Sequence, residues 1–345
     1  MSDYIHLFET QAAHDAVYNG SEYTEPWVGL VTANNALSYN DADHYYKIPL
    51  TFVILSDGNI TWKKNSGGYE YMINYKKNNG DWTQLPPSTS GTTISVLTGD
   101  IISFKGDNQN YFNHYFTSTA RFSVCGNIMS LIDSTNYLNV TSVPSTAFQG
   151  LFLNCTNLIN AENLILPAVT VGTSCYQNMF KGCTSLLTTP KILAETLSES
   201  CCSSMFEGCT SLTKTPEFKA SILATKCYTQ MFKNCTNLTQ VSELPVKGMK
   251  TYCYSSMFSG CTSLTTAPEL PATTLASHCY EAMFYNCTSL NYIKCLATNI
   301  SAEDCVRIWT YNVAQNGTFV KDSNMTNWTS DYNGIPTGWT VQDAS

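Results

Sequence analysis

The sequence predicts a multidomain α+β protein of 345 residues whose second half is a solenoid. The main observation is a period of 26 residues in two columns of cysteine, one of which opens the phrase Cys-Thr-Ser/Asn-Leu. The columns are Cys183, Cys209, Cys235, Cys261 and Cys287, and Cys175, Cys201, Cys227, Cys253, Cys279 and Cys305. A fixed period of about 20 to 29 residues with this Leu and Cys spacing is typical of a leucine-rich-repeat solenoid. A turn-rich stretch without cysteine precedes it and predicts an all-β domain.

Residues 1–44 are predicted to form an amino-terminal attachment arm. The segment lacks the repeat pattern but carries several large aromatic side chains, which is unusual for a free tail. The residues expected to make the attachment are Phe8, Tyr18, Tyr23, Pro26 and Trp27. Two interpretations stay open: the arm packs on another protein, or it packs on the next domain of its own chain.

Residues 45–124 are predicted to form a small β-sandwich of the immunoglobulin-like type. Turn signals such as Asp57-Gly58 and Asn79-Gly80 separate short apolar runs. The runs 60–63 and 69–75 alternate between apolar and polar residues as half-buried strands do. About seven strands at this spacing are typical of a sandwich. The predicted core contains Phe52, Trp62, Trp82 and Phe104.

Residues 125–150 are predicted to cap the solenoid, residues 151–305 to form about six repeats, and residues 306–345 to close the other end. Within one repeat, Leu275, Cys279, Met283 and Cys287 fall at steps of four, which predicts an amphipathic helix. Only Gly or Asn stands before each Cys-Thr pair, so a left-handed residue is expected to end each helix.

A short strand is expected to follow each helix. The Leu of each Cys-Thr-Ser/Asn-Leu phrase should point inward. Pro190, Pro216 and Pro268 come four residues after such a Leu and cannot donate to a strand ladder. The parallel sheet on this side should therefore be narrow.

The 15 cysteines are predicted to be buried free thiols. Cys253 and Cys261 are about 12 Å apart along a helix, whereas a disulfide needs Cα atoms within about 7 Å. The short Cys-x-x-Cys spacings of zinc sites are also missing. Buried thiols of this kind act as small apolar fillers.

Composition and motifs argue against catalysis. The histidines are scattered, and no nucleophile-elbow, zinc-protease or phosphate-loop string occurs. We therefore expect no enzymatic activity, no cofactor and no metal. A net charge of −8 disfavours nucleic acid as a partner. Neither a bilayer-spanning apolar run nor a signal peptide is visible, so we expect synthesis in a cytoplasm and no membrane insertion.

The solvent side of the narrow sheet is the predicted ligand face. Polar residues of varied type follow one another there from repeat to repeat, as on the binding surfaces of other solenoids. The residues proposed for this face are Lys214, Gln240, Thr266, Tyr292 and Lys294. The alternative is a face that provides solubility alone, and the pattern fits both.

Two resemblances extend these expectations. The phrase Met-Phe-x-Gly-Cys-Thr-Ser-Leu-Thr-x-x-Pro-x-Leu-Pro around residues 258–271 resembles the BspA-type leucine-rich repeat of gut bacterial surface proteins. The arm, with Tyr18-Asn19-Gly20 and Glu25-Pro26-Trp27, is similar to amino-terminal segments of virion proteins from crAss-like phages of gut Bacteroidales.

The second resemblance implies a head-fibre or decoration protein at the virion surface. Its arm would dock on the capsid or another virion protein, and its solenoid would project toward a host-surface or mucosal glycan or protein, with a homo-oligomer as the expected form. Two alternatives stay open, a BspA-like bacterial cell-surface adhesin and a tail-fibre receptor-binding protein. The arm resemblance and the missing signal peptide favour the virion protein over the bacterial adhesin.

Overall fold

The computed structural model describes residues 30–31, 37–38, 42–67, 69–245 and 248–344. Its elements in chain order are β1 (Leu30–Val31), β2 (Leu37–Ser38), α1 (Ala42–Lys47), β3 (Leu50–Ile54), β4 (Gly58–Lys64), β5 (Ile73–Lys77), β6 (Thr83–Leu85), β7 (Thr92–Val96), β8 (Ile101–Lys105), β9 (His114–Ser118), β10 (Phe122–Asn127), β11 (Ser142–Val143), β12 (Leu158–Leu166), β13 (Thr170–Val171), β14 (Lys191–Ile192), β15 (Tyr292–Cys295), β16 (Thr318–Lys321) and β17 (Thr340–Asp343).

The chain is mostly β, so the expected α+β class is wrong in its helical part. Among the described residues α1 is the sole α-helix, and two 3-10 turns cover Ile128–Leu131 and Tyr137–Asn139. Within the predicted arm, β1 and β2 form a two-stranded antiparallel pair.

Two sheets pack face to face in the amino-terminal half. The larger one contains β10, β3, β8, β5 and β6 in this order, and the smaller one contains β7, β4 and β9. Aromatic rings fill the space between them: the ring centre of Phe116 lies 4.9 Å from Phe52 and 4.6 Å from Trp62. Phe52, Trp62 and Phe104 are fully buried, which confirms their predicted core positions.

The expected core position of Trp82 is wrong. Its side chain is 40 % exposed. The ammonium groups of Lys76 and Lys105 lie 5.7 and 5.2 Å from its ring centre. Trp82 directly precedes β6, the edge strand of the larger sheet, and there its ring interacts with cations instead of the core.

The larger sheet continues from the sandwich into the solenoid. β10 pairs antiparallel with β3 on one side and parallel with β12 on the other, and β12 pairs in turn with β14. One cluster of buried hydrophobic residues extends from Leu50 to Trp339. A small second cluster includes Tyr45 of α1 together with Val53, Cys125 and Ile165 of the sheet. The sandwich and the first coils therefore share one core.

A β-solenoid of about eight turns extends over residues 142–343. It begins within the predicted amino-terminal cap, where β11 pairs in parallel with β13. It continues through the predicted carboxyl-terminal cap, where β15, β16 and β17 form a parallel sheet. The predicted inward leucines are fully buried, namely Leu158, Leu186, Leu212, Leu238, Leu264 and Leu290.

The segment predicted as a helix is instead a series of four-residue turns. Every fourth residue has a positive φ, for example Lys226 (57°), Gln230 (58°) and Asn234 (60°). Such residues interrupt the continuous i to i−4 bonding of a helix. The step of four in the apolar stripe therefore reflects a turn of four residues.

The predicted left-handed conformation before each Cys-Thr pair is confirmed, although it ends a turn rather than a helix. The φ angles are 57° at Asn154, 75° at Gly182, 75° at Gly208, 60° at Asn234, 78° at Gly260 and 60° at Asn286. These residues occupy the last of three left-handed positions in each coil.

Backbone hydrogen bonds in this segment alternate between the turn and the next coil. The Met231 N–H donates to Tyr228 O (3.2 Å) within its own turn, and the Phe232 N–H donates to Met257 O (2.9 Å) one coil ahead. The N–H groups of residues 226–235 all have acceptors in this way, as a buried backbone requires.

A column of stacked rings forms the centre of the solenoid. Neighbouring ring centres are 5.3 to 6.0 Å apart and nearly parallel. The column consists of Phe152, Phe180, Phe206, Phe232, Phe258 and Phe284. Trp309 continues it 6.2 Å beyond Phe284, and Trp328 stacks on Trp309 at 5.5 Å.

All 15 cysteines are buried and free. In the column before Thr, each thiol also donates to a phenylalanine carbonyl of the preceding coil; Cys261 Sγ, for instance, lies 3.1 Å from Phe232 O. The repeat spacing predicted the burial but not this donor role. Burial raises the pKa of the Cys155 and Cys235 thiols to about 12.

Candidate ligand-binding groove

Each coil of the solenoid has a turn side, made of the four-residue turns, and a strand side, made of residues 187–193, 213–219 and their equivalents in the other repeats. Backbone pairing on the strand side differs from coil to coil. The Thr215 N–H donates to Gln240 O (3.1 Å), and the Ala267 N–H donates to Tyr292 O (2.9 Å), so these coils are joined. Within the described chain, no backbone hydrogen bond joins residues 187–193 to residues 213–219. The coils on either side of this gap are therefore held together by their turn side.

Proline at one repeat position explains the gap. The Ser242 N–H points back to the preceding coil and donates to the Thr215 hydroxyl (2.9 Å). Pro216 stands at the same repeat position one coil earlier, and it has no N–H to donate. Thr189, which corresponds to Thr215, therefore receives no such bond from the next coil.

A groove of about 540 Å³ lies between residues 187–193 and 213–219. This volume is within the range of ligand-binding clefts, which are mostly apolar with a few polar groups. Its apolar lining includes Leu187 and Leu193, which are 44 % and 38 % exposed. Pro190 and Pro216 also line it. Exposed leucines beside a cleft are typical of a binding surface.

The groove carries more positive than negative charge. The ionisable residues that line it are Glu162, Lys191, Lys214, Glu217 and Lys219. Glu217 and Lys219 form an ion pair of 2.7 Å, and the hydrogen bond from Lys219 lowers the pKa of Glu217. In the part of the chain that the structure describes, Lys191 and Lys214 form no ion pair. Two cations are thus available in a chain of net charge −8.

The short strand β14 forms one wall of the groove and ends the seven-stranded sheet. The Leu193 N–H donates back to Leu166 O (3.1 Å). Because peptide groups alternate in direction along a strand, the N–H and C=O of Ile192 point the other way, toward the groove.

Leu270 shows what Ile192 lacks. It occupies the same repeat position three coils later, and there the backbone N–H donates to Lys294 O (3.0 Å) while the C=O accepts from the Leu296 N–H (2.9 Å). Ile192 makes neither bond to the next coil within the described residues. The groove therefore borders an unpaired strand edge.

The predicted ligand face is exposed but only partly coincides with the groove. Lys214 and Gln240 line the groove, whereas Thr266, Tyr292 and Lys294 lie outside it. Lys294 is occupied by an ion pair of 3.0 Å with Glu269. Thr266 and Tyr292 form a parallel bridge between their coils.

The five predicted attachment residues of the arm, Phe8, Tyr18, Tyr23, Pro26 and Trp27, lie outside the described residues. Their role stays a prediction.

A polar cluster lies on the turn side of the last coils. The His278 ring stacks on Tyr252 at 4.3 Å, and its Nδ1 lies 2.9 Å from the Glu281 carboxylate. Arg307 contacts Glu281 and lies 3.2 Å from Asp304. Each of these side chains thus already has a partner within the cluster.

Across the described ranges, no group of three His, Cys, Asp or Glu side chains is placed to hold a metal ion. No helix there has the length and apolarity to cross a membrane. Comparisons with protein families, curated proteins and solved structures find no match to this chain.

Sequence reasoning missed the groove residues Leu187, Leu193 and Lys191. The signal that could have found them is the proline column, because a coil with Pro216 cannot bond to its predecessor at that position. The proline column thus indicates a cleft as well as a narrow sheet.

Proposed function

We propose that this chain is a structural and binding protein of a phage virion surface, a head-fibre or decoration protein. Its arm docks on the capsid or on another virion protein, and its solenoid projects toward a glycan or protein of the host surface or mucus. It acts as a homo-oligomer, without enzymatic activity, cofactor, nucleic acid or membrane insertion. It is made in the host cytoplasm.

The observation that supports a binding role is the groove itself. It combines exposed Leu187 and Leu193 with two lysines, Lys191 and Lys214, that form no ion pair among the described residues. Apolar walls with a few placed charges are suited to recognition. Support for the virion setting comes from the arm, through its resemblance around Glu25-Pro26-Trp27.

We also propose that the repeats are related to BspA-type leucine-rich repeats and the sandwich to immunoglobulin-like domains. The 26-residue period and the phrase around residues 258–271 support the first relation. The two packed sheets with an aromatic core support the second.

Deletion of residues 1–30 tests the proposed function. The purified variant should keep the circular dichroism and thermal melt of the full chain, because the described core begins at Tyr45. Supplied to particles that lack the native protein, it should be absent from purified virions by mass spectrometry. Trp27→Ala should reduce incorporation in the same direction, since truncated aromatic anchors cost about 2 kcal/mol or more.

Lys214→Gln is the matched control for this experiment. It alters the groove and not the arm, so it should be incorporated normally. Normal incorporation of the arm deletion would refute the proposed docking. The bacterial adhesin is favoured instead if the native protein is missing from virions and is found on bacterial cells.

A further inference from the structure

We infer that the groove binds an extended acidic peptide segment, which adds as a strand to the edge of β14. This inference deepens the proposed binding function and rests on it only for the biological setting. Four features of the groove carry it.

The first feature is the unpaired backbone of Ile192. Its N–H and C=O face the groove, whereas the corresponding groups of Leu270 are both bonded to the next coil. An extended peptide supplies an acceptor and a donor at the spacing that these two groups require. A glycan has no repeating amide that matches a strand edge.

The second feature is the apolar surface beside that edge. Leu193 directly follows β14 and Leu187 precedes it by four residues, and both line the groove and are exposed. Side chains of a bound strand alternate between its two faces, so every second residue of the peptide can contact these leucines.

The third feature is the charge. Lys191 and Lys214 line the groove and form no ion pair among the described residues, although Lys214 lies close enough to Glu217 to help lower its pKa. Carboxylates on the peptide would complete both ion pairs.

The fourth feature is the limited protection of the edge. Natural sheets guard an exposed edge with short strands, lysine and proline. β14 is two residues long and has Pro190 before it, which blocks long, indiscriminate pairing. The adjoining cleft still leaves room for one short segment, so the edge favours a specific partner over aggregation.

The experiment uses the purified full chain and a library of random peptides of about nine residues, long enough to form a strand. Enriched peptides should carry acidic residues alternating with apolar ones. One of them, made synthetically, should slow hydrogen exchange of the Ile192 amide. Methylation of the peptide nitrogens that face β14 should weaken binding by about tenfold or more, because it removes the donors.

Variants of the chain locate the site. Lys191→Glu combined with Lys214→Glu should weaken binding about tenfold, with most of the effect lost at high salt. Lys191→Glu alone and Lys250→Glu alone change the net charge equally, but Lys250 is an exposed lysine that does not line the groove, so Lys250→Glu should be nearly silent.

Pro216→Ser gives an independent readout. It copies Ser242 and restores an N–H opposite the hydroxyl of Thr189, so the two coils should pair and the cleft should close. We expect protection of the amide at position 216 and a loss of peptide binding of about tenfold or more.

Several results would overturn the inference. These are no enrichment of any peptide, enrichment without acidic residues, or binding that leaves the Ile192 amide unprotected. A sulfated oligosaccharide that binds with the same lysine dependence, without protecting Ile192, would replace the peptide as the ligand class. Peptide binding uses the isolated chain, so it is unaffected if the arm fails to dock on virions.

Discussion

Gly208 offers the sharpest test of the four-residue turns. Its φ is +75°, and a Cβ built there would meet nothing closer than Gly182 Cα at 3.8 Å. A side chain therefore has room, and the cost of adding one is conformational. Gly208→Val places a β-branched residue at positive φ, which costs about 1–3 kcal/mol. Gly208→Asn should change stability by only a few tenths of a kcal/mol, because Asn tolerates this conformation.

Gly260 is the matched comparison for Gly208. Its φ of +78° is nearly the same, whereas the atoms around it differ. A Cβ at Gly260 would lie 2.3 Å from Asn234 Oδ1, so Gly260→Asn must turn the Asn234 amide. Neighbouring asparagines can coexist in this column, as Asn312 and Asn286 do with an amide hydrogen bond of 3.0 Å. We therefore expect Gly260→Asn to cost about 0.5–1.5 kcal/mol, the cost of an off-rotamer side chain.

Urea unfolding combined with amide hydrogen exchange measures these differences. Exchange is needed because solenoids open locally as well as globally. The reporting amide is Gly208 N–H, which donates to Lys233 O (2.8 Å). The left-handed turn is refuted if Val and Asn at position 208 destabilise equally. The steric argument fails if Gly260→Asn is as silent as Gly208→Asn.

Two further predictions concern pH. Burial raises the pKa of Cys253 to about 11 and of Cys287 to about 12, so the unfolded state loses these protons first. The contribution of these protonated thiols to the free energy of unfolding is therefore fully present below about pH 8.5. It falls as the pH rises further, by about 1.4 kcal/mol per pH unit and thiol. Urea melts from pH 8 to 11 should show this decrease, and a free energy of unfolding that does not change with pH would contradict it. In the sandwich, burial lowers the pKa of His114, so stability should be lost as pH falls below about 6.5, by at most about 1.4 kcal/mol per pH unit. His114→Asn, whose amide can still donate to Phe112 O, should reduce this acid loss in urea melts from pH 7.5 to 5, and an unchanged loss would assign it to other groups.

The repeat period identified the core residues but not the backbone path between them. Inward positions such as Leu264 and Cys261 follow from the period alone. The helix was predicted because steps of four drift by only about 40° per step on a helix, so three steps stay within the broad apolar stripe of a surface helix. The residue types at Lys226 and Gln230 do not indicate that the helix is interrupted, because neither type favours a positive φ. Only the third position of each coil, which is Gly or Asn, indicates a left-handed residue.

The candidate site was predicted in part. Lys214 and Gln240 were assigned to the exposed face from their place in the repeat, and both line the groove. Whether a polar residue on that face borders a cleft depends on how two coils separate, which is a property of neighbouring repeats taken together. The polarity of Thr266 or Tyr292 therefore does not indicate whether the residue borders a cleft. The predicted core position of Trp82 was wrong for a related reason, because its exposure depends on its place beside an edge strand.

The unpaired groove is tolerated because the turn side holds each coil independently. In one coil the N–H groups of Tyr228, Gln230, Phe232 and Asn234 all donate to the next coil, at 2.7 to 3.0 Å. None of these bonds depends on the strand side. The bonds that Ile192 forgoes, compared with Leu270, number two, and at about 0.5–1.5 kcal/mol each they are a small fraction of the cohesion between coils. The strand side can therefore open without separating the coils, and the placement of proline decides where it opens.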